Sequence, residues 1–171
     1  MHKPLGVVCS HREAGRSLYD LLPARWRARM PALSSVGRLD KETSGLLLIT
    51  DDGDLLHRII SPRRHIAKRY RVVLDRPMAG HEGALFAAGS LVLDGAPLAP
   101  AKLEVVSPTE GLLTLTQGRY HQVRRMFSAV GLEVAGLHRE AIGALDLPPD
   151  LAPGAYRPIT PDELAAVFAG P

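Results

Sequence analysis

Cysteine is almost absent from this chain: Cys9 stands alone, so no internal disulfide can form and the fold must rest on its core. Lysine is scarce as well. Of 21 basic residues 17 are arginines, set against 18 acids, for a formal charge of +3. Aromatic residues make up only 5% of the sequence. No apolar run reaches the 18 or so residues of a membrane-spanning helix. Charged residues return soon after Met1-His2-Lys3-Pro4, so the apolar core of a secretory signal is missing too. A water-soluble chain in the reducing cytoplasm, with no membrane partner, is the expectation.

Missing motifs narrow the chemistry further. The seven histidines form neither an HExxH arrangement nor a compact cluster with cysteine, so no metal site is expected. Neither a GxxxxGK[ST] loop nor a GxGxxG turn occurs, and no cofactor is expected. Ser44 lies in Thr-Ser-Gly rather than in the GxSxG elbow of a hydrolase. Asp51 and Asp52 are adjacent, whereas paired glycosidase carboxylates must face each other across a substrate. They read as a turn followed by a helix cap.

What is present fits one domain spanning 1–171, at most divided into two small lobes, with 46% hydrophobic residues to fill a core. A chain of this size buries roughly 70% of the surface its unfolded form exposes. Short apolar runs between turn residues predict strands at 3–9, 32–39, 45–50, 67–74, 91–93, 103–106, 112–116, 133–138 and 140–145. Helices are expected at 17–22, stopped by Pro23, and after Asp52, where Leu55, Leu56, Ile59 and Ile60 share one side. Further helices are expected at 82–88, at 121–130 and from Pro161 onward. In the 121–130 helix Val123, Met126, Phe127 and Val130 form one face and Gly131 the stop. Arg25, Arg27 and Arg29 are placed in a loop. Short helices without repeated parallel crossovers predict an α+β fold around a largely antiparallel mixed sheet.

The densest charge lies between His57 and Val73, where Arg58, Arg63, Arg64, Lys68, Arg69 and Arg71 occur without a single acid. Cations without local counterions can neutralise phosphates and release their condensed ions, and Tyr70, embedded among them, offers a ring for stacking on a base. The competing reading is a solvated strand whose arginines pair with distant acids. A second feature is Asp40, which ends an apolar stretch between Arg38 and Lys41 and precedes the turn into the most hydrophobic strand. It is either a carboxylate at the rim of a site or an ordinary turn residue. Residue chemistry alone therefore leaves an RNA-binding module and an enzyme built around one central carboxylate.

Four ordered segments carry a more specific message: the Lys-Pro-x-Gly start at 3–10, GRLDKETSGLLLITDDG at 37–53, HRIISPRRHIAKRYRV at 57–72 and GRYHQVRRMFSAVG at 118–131. With LHREAIG at 137–143 and LAPGAYRPIT at 151–160, they resemble the bacterial ribosomal RNA pseudouridine synthases of the RsuA type over nearly the whole chain. The resemblance implies the pseudouridine synthase fold and isomerisation of one uridine of ribosomal RNA, in the small subunit first and in the large subunit as the alternative. A non-catalytic ribosome assembly factor on the same scaffold is the reading from another class.

By that resemblance Asp40 is the essential aspartate, as nucleophile or as electrostatic stabiliser, Tyr70 stacks on the extracted base, and Arg124 pairs with the aspartate. Arg38 matches an arginine that can take the space of the flipped base. Arg63, Arg64, Lys68, Arg69, Arg119 and Arg125 are assigned to the RNA, as contacts that position without reading sequence. For His121 and Gln122, RNA contact and a bracing role stay open, while Val123 is read as core. Many relatives carry a small RNA-binding domain ahead of the Lys-Pro-x-Gly strand. This chain starts at that strand, so a catalytic domain alone is expected, acting as a monomer on ribosomal RNA or a pre-ribosomal ribonucleoprotein.

Overall fold

The computed structural model describes residues 1–10 and 14–170. In chain order its elements are β1 (His2–Lys3), a 3-10 turn at Leu18–Leu21, α1 (Ala24–Arg27), β2 (Ser34–Ser35), β3 (Ser44–Leu46), β4 (Ile49–Thr50), α2 (Gly53–Ile60) and β5 (Lys68–Leu74). There follow α3 (Glu82–Ala87), the hairpin β6 (Val92–Leu93) and β7 (Ala96–Pro97), and the hairpin β8 (Lys102–Ser107) and β9 (Glu110–Leu115). Then come α4 (Gln122–Ser128), β10 (Val134–Ile142), β11 (Leu145–Asp146) and α5 (Pro161–Val167).

One sheet organises these pieces, in the order β1-β3-β10-β5-β9-β8 with β11 on β10. Only β3 and β10 run parallel, so the sheet is mixed and largely antiparallel, and the α+β expectation holds. Gly45 sits on the parallel seam at φ +117°, and a Cβ there would collide with the backbone of Arg139. Glycine is therefore required for the two strands to approach.

The sheet's front face carries the main core. Tyr70, Val72 and Leu74 of β5, Leu113 and Leu115 of β9, and Leu137 of β10 pack there with Phe86 of α3 and with Met126 and Phe127 of α4. Phe86 and Phe127 meet edge to face, 5.2 Å between ring centroids. A smaller cluster joins Leu46, Leu48, Ile59, Ile142, Leu145 and Val167, which seats α2 and α5.

Several expectations change in detail. The 45–50 run is two short strands, β3 in the main sheet and β4 paired with β2, because Leu46, Leu47 and Leu48 are all buried as the chain crosses from one sheet to the other. The 3–9 strand reduces to β1 with an isolated bridge from Val8 to Ser17. Arg25 and Arg27 lie in the short helix α1 rather than a loop. The segments 133–138 and 140–145 join as β10, which runs through Arg139 with irregular register beside it. Asp52 does cap α2, accepting the Leu55 amide at 2.9 Å.

Candidate active site

On the front face the loop between β2 and β3 meets the loop that enters α4, and a two-part cleft lies between them. The inner part, about 320 Å³, is lined by Arg38, Asp40, Thr43, Tyr70, His121 and Arg124 among others. It continues past Asp40 and His121 into an outer part of about 520 Å³ that reaches Cys9, Lys41 and Glu42. Asp40 is the only carboxylate among the described residues lining the inner part.

Lys3 holds the Asp40 loop from behind. Its side chain is fully buried, and its ammonium donates to the carbonyls of Pro4 (3.1 Å), Asp40 (3.0 Å) and Thr43 (2.7 Å). All three N–H bonds are thus used on carbonyls, and no carboxylate of the described residues forms an ion pair with it. Burial pulls this ammonium below its ordinary pKa, while Cys9, Asp40 and Glu42 oppose that shift. The Leu39 amide donates to the Cys9 sulfur at 3.5 Å. Burial pushes that thiol upward, the opposite of what a reactive cysteine needs.

Tyr70 is placed by strand alternation. As the third residue of β5 it faces front, buried on the core side and open to the inner cleft. Arg139 braces it: the guanidinium carbon lies 5.9 Å from the ring centroid, and one N–H reaches the tyrosine oxygen at 3.4 Å. Arg139 is itself buried, anchored on the Leu46 carbonyl at 2.8 Å, with its Nη2 left without a partner among the described residues. The Thr43 hydroxyl in the cleft wall is likewise without one.

The expected Arg124–Asp40 pair is corrected. Arg124 donates to the carbonyls of Val134 (2.8 Å) and Glu42 (2.9 Å), clamping α4 to β10 and to the turn after Asp40. The partner of the Asp40 carboxylate is His121, whose Nε2 stands 3.3 Å from Oδ1, each side chain 37% exposed. His121 takes a left-handed backbone, φ 49° and ψ 31°, immediately before α4, and this turn brings its ring to the carboxylate.

The assigned RNA contacts separate into groups. Arg38, Arg119, His121 and Gln122 line the inner cleft. Arg119 holds the β6–β7 hairpin through the carbonyls of Leu93, Ala96 and Pro97, and Gln122 is buried and accepts the Arg119 amide. Arg125 forms a two-pronged pair with Asp94 at 2.7 and 2.9 Å. Arg69 is corrected most clearly. Neighbouring residues of a strand face opposite ways, so Arg69 lies on the back of the sheet from Tyr70, bound to Glu140 and Asp146. Lys68 donates to the Ile66 carbonyl and lines neither part of the cleft. Arg63 and Arg64, exposed in the 3-10 turn after α2, also lie outside the cleft lining.

Three residues of the site escape sequence reasoning. Lys3 and Arg139 are cations buried where composition alone predicts exposure. Tyr120, 70% exposed at the cleft, is hidden in the sequence by the charged and polar residues around it.

The chain also matches known proteins. The family model described as RNA pseudouridylate synthase covers residues 1–129. Ribosomal small subunit pseudouridine synthase A of Escherichia coli (strain K12) is 48% identical over 171 residues, which span 98% of this chain and 72% of that protein. The protein of the same name from Vibrio cholerae is 46% identical over 170 residues, with the same shares of the two chains. A crystal structure of a pseudouridylate synthase superposes with a TM-score of 0.92 at 42% identity, covering 98% of this chain and 71% of that one. Sequence match, fold and the carboxylate cleft agree: the chain belongs to the RNA pseudouridylate synthase family.

Proposed function

We propose that this protein converts a uridine of small-subunit ribosomal RNA to pseudouridine, with Asp40 as the catalytic carboxylate. The observation that carries this reading is a single carboxylate among the described residues of the inner cleft, which Tyr70 also lines, beside Arg119 and Arg124, whose hydrogen bonds run to carbonyls rather than acids. Family membership gives the reaction class, and the names of the relatives at 46–48% identity support the small subunit as the source of the RNA.

The reaction is an isomerisation. The C1′–N1 bond breaks, the uracil turns, and C1′ joins C5; the proton on C5 leaves to water and N1 takes one up. A duplex or folded RNA must first give up the base from its stack, and the inner cleft, at the small end of the ~300–1,000 Å³ range of ligand pockets, suits one nucleotide. Asp40 serves the sugar carbon as its bond to N1 breaks, by attack on C1′ or by stabilising the positive charge that develops there. Tyr70, braced by Arg139, gives the freed uracil a flat wall along which to turn.

The test is tritium release from C5-labelled uridine in each ribosomal RNA, naked and protein-bound. The intact protein releases tritium from small-subunit RNA, and Asp40→Asn lowers the rate by ~10³-fold or more. Equal rates from the two proteins would overturn the role of Asp40. Release from large-subunit RNA alone would overturn the substrate, and no release from any form would leave the scaffold as an assembly factor.

A further inference from the structure

Tyr120 is among the most exposed large residues of the described chain, yet its ring is held in place. It stacks on the neighbouring His121 ring with centroids 3.9 Å apart and planes 16° from parallel. In a strand, successive side chains face opposite ways, and in a helix they diverge by ~100°, so a parallel stack of neighbours needs another backbone. The left-handed turn at His121 supplies it. A non-glycine residue in that region is strained, so the turn persists only because its surroundings hold it. The same turn brings Nε2 of His121 to 3.3 Å from Oδ1 of Asp40, so the ring pair stands against the carboxylate.

Tyr120, His121, Asp40, Arg38 and Arg124 line both parts of the cleft and form the ridge between them. One uridine fills only the inner part. The outer part is larger, opens directly from the inner one, and is edged by Arg38, Lys41 and Arg124 together with the carboxylates of Asp40 and Glu42. We infer that the outer cleft is a second nucleotide subsite, in which a base flanking the target uridine stacks on the exposed face of Tyr120. This rests on the pseudouridine synthase reading for the occupant of the inner cleft. The subsite accepts any base, because every base presents a stacking face and the charges around it read only the backbone.

The test uses the trinucleotide UpUpU and the same trimer with both flanking bases removed, which keeps the phosphates and the central uridine. The intact protein binds the complete trimer roughly 5- to 100-fold more tightly, the range expected for base–aromatic stacking. Tyr120→Ala reduces that preference to twofold or less, and Tyr120→Phe, which keeps the ring, retains it. On ribosomal RNA the loss in Tyr120→Ala falls on KM more than on kcat, and Tyr120→Phe restores KM. No preference in the intact protein, or an undiminished preference in Tyr120→Ala, overturns the subsite. Failure of the underlying reading looks different: the intact protein then releases no tritium from any ribosomal RNA while the trimer preference persists.

Discussion

Along β5, Lys68, Tyr70 and Val72 face the front of the sheet and Arg69 and Arg71 the back, and the two sides treat positive charge differently. On the back, Arg71 binds Glu110 and Glu140 at 2.6 Å each, and Arg69 binds Asp146 at 2.6 Å and Glu140 at 3.4 Å. Each cation there has an anion, and the field beyond the surface is largely cancelled. On the front, Lys3, Arg119, Arg124 and Arg139 end on carbonyls or a hydroxyl, which satisfy the N–H groups without cancelling the charge. A carbonyl-bound cation is fixed in position and still attracts phosphate. Basic residues mark a nucleic-acid face only where their hydrogen bonds do not end on acids.

The sharpest way to break this contrast is to remove one charge from each side. Lys3→Met strands three carbonyls, one of them the backbone oxygen of Asp40, and should cost about 2–3 kcal/mol in denaturant unfolding, together with a fall in tritium release. Arg69→Gln opens a partly exposed ion-pair network and should cost under ~1 kcal/mol, with tritium release unaffected. A comparable loss in both would erase the distinction.

Salt dependence of RNA binding separates the faces more finely. Arg38→Ala, at the cleft, should reduce the slope of log K against log salt by about 0.7, the contribution of one phosphate on a single strand. Arg69→Ala should leave that slope where it was. A reduced slope for Arg69→Ala would put RNA on the back of the sheet.

The smallest effect concerns Lys68, whose pKa burial lowers to about 8, with the Arg139 charge adding to the shift. Between about pH 8 and the ordinary lysine value the unfolded chain holds a proton that the folded chain has lost, so stability from this group rises with pH in that window. Lys68→Met should therefore raise Tm at pH 7 by a few degrees, and the gain should shrink toward pH 10. A constant gain across that range would mean that Lys68 titrates alike in both states.

How much of this was legible depends on sequence distance. The Asp52 cap, the Val123-Met126-Phe127 face and the β8–β9 hairpin are local and legible in the sequence. Asp40 and Tyr70 were identified through the segments that carry them, and the structure brings both to one cleft. The acid-free window from 57 to 73 hides the pairing of Arg69, because its partners Glu140 and Asp146 lie 71 and 77 residues further on. Strand alternation, which puts Arg69 and Tyr70 on opposite faces, was available in the sequence and settles the matter once β5 is known. Arg139 gave no such sign: a cation inside an apolar strand reads as an outward-facing residue until the register places it behind Tyr70.

The parallel pairing at Gly45 carries a consequence for how the chain assembles. It joins Ser44 and Gly45 to His138 and Arg139, and the Arg139 side chain then fixes itself on Leu46 across 93 residues of sequence. Hairpins such as β8–β9 close short loops, whereas this seam closes a long one, and contacts of high sequence separation form against the greatest chain entropy. The carboxylate loop and the tyrosine strand are brought together by this seam and by the equally non-local pairing of β10 with β5. The cleft therefore depends on long-range closure: a chain with every local hairpin in place but this seam open has no cleft to offer a nucleotide.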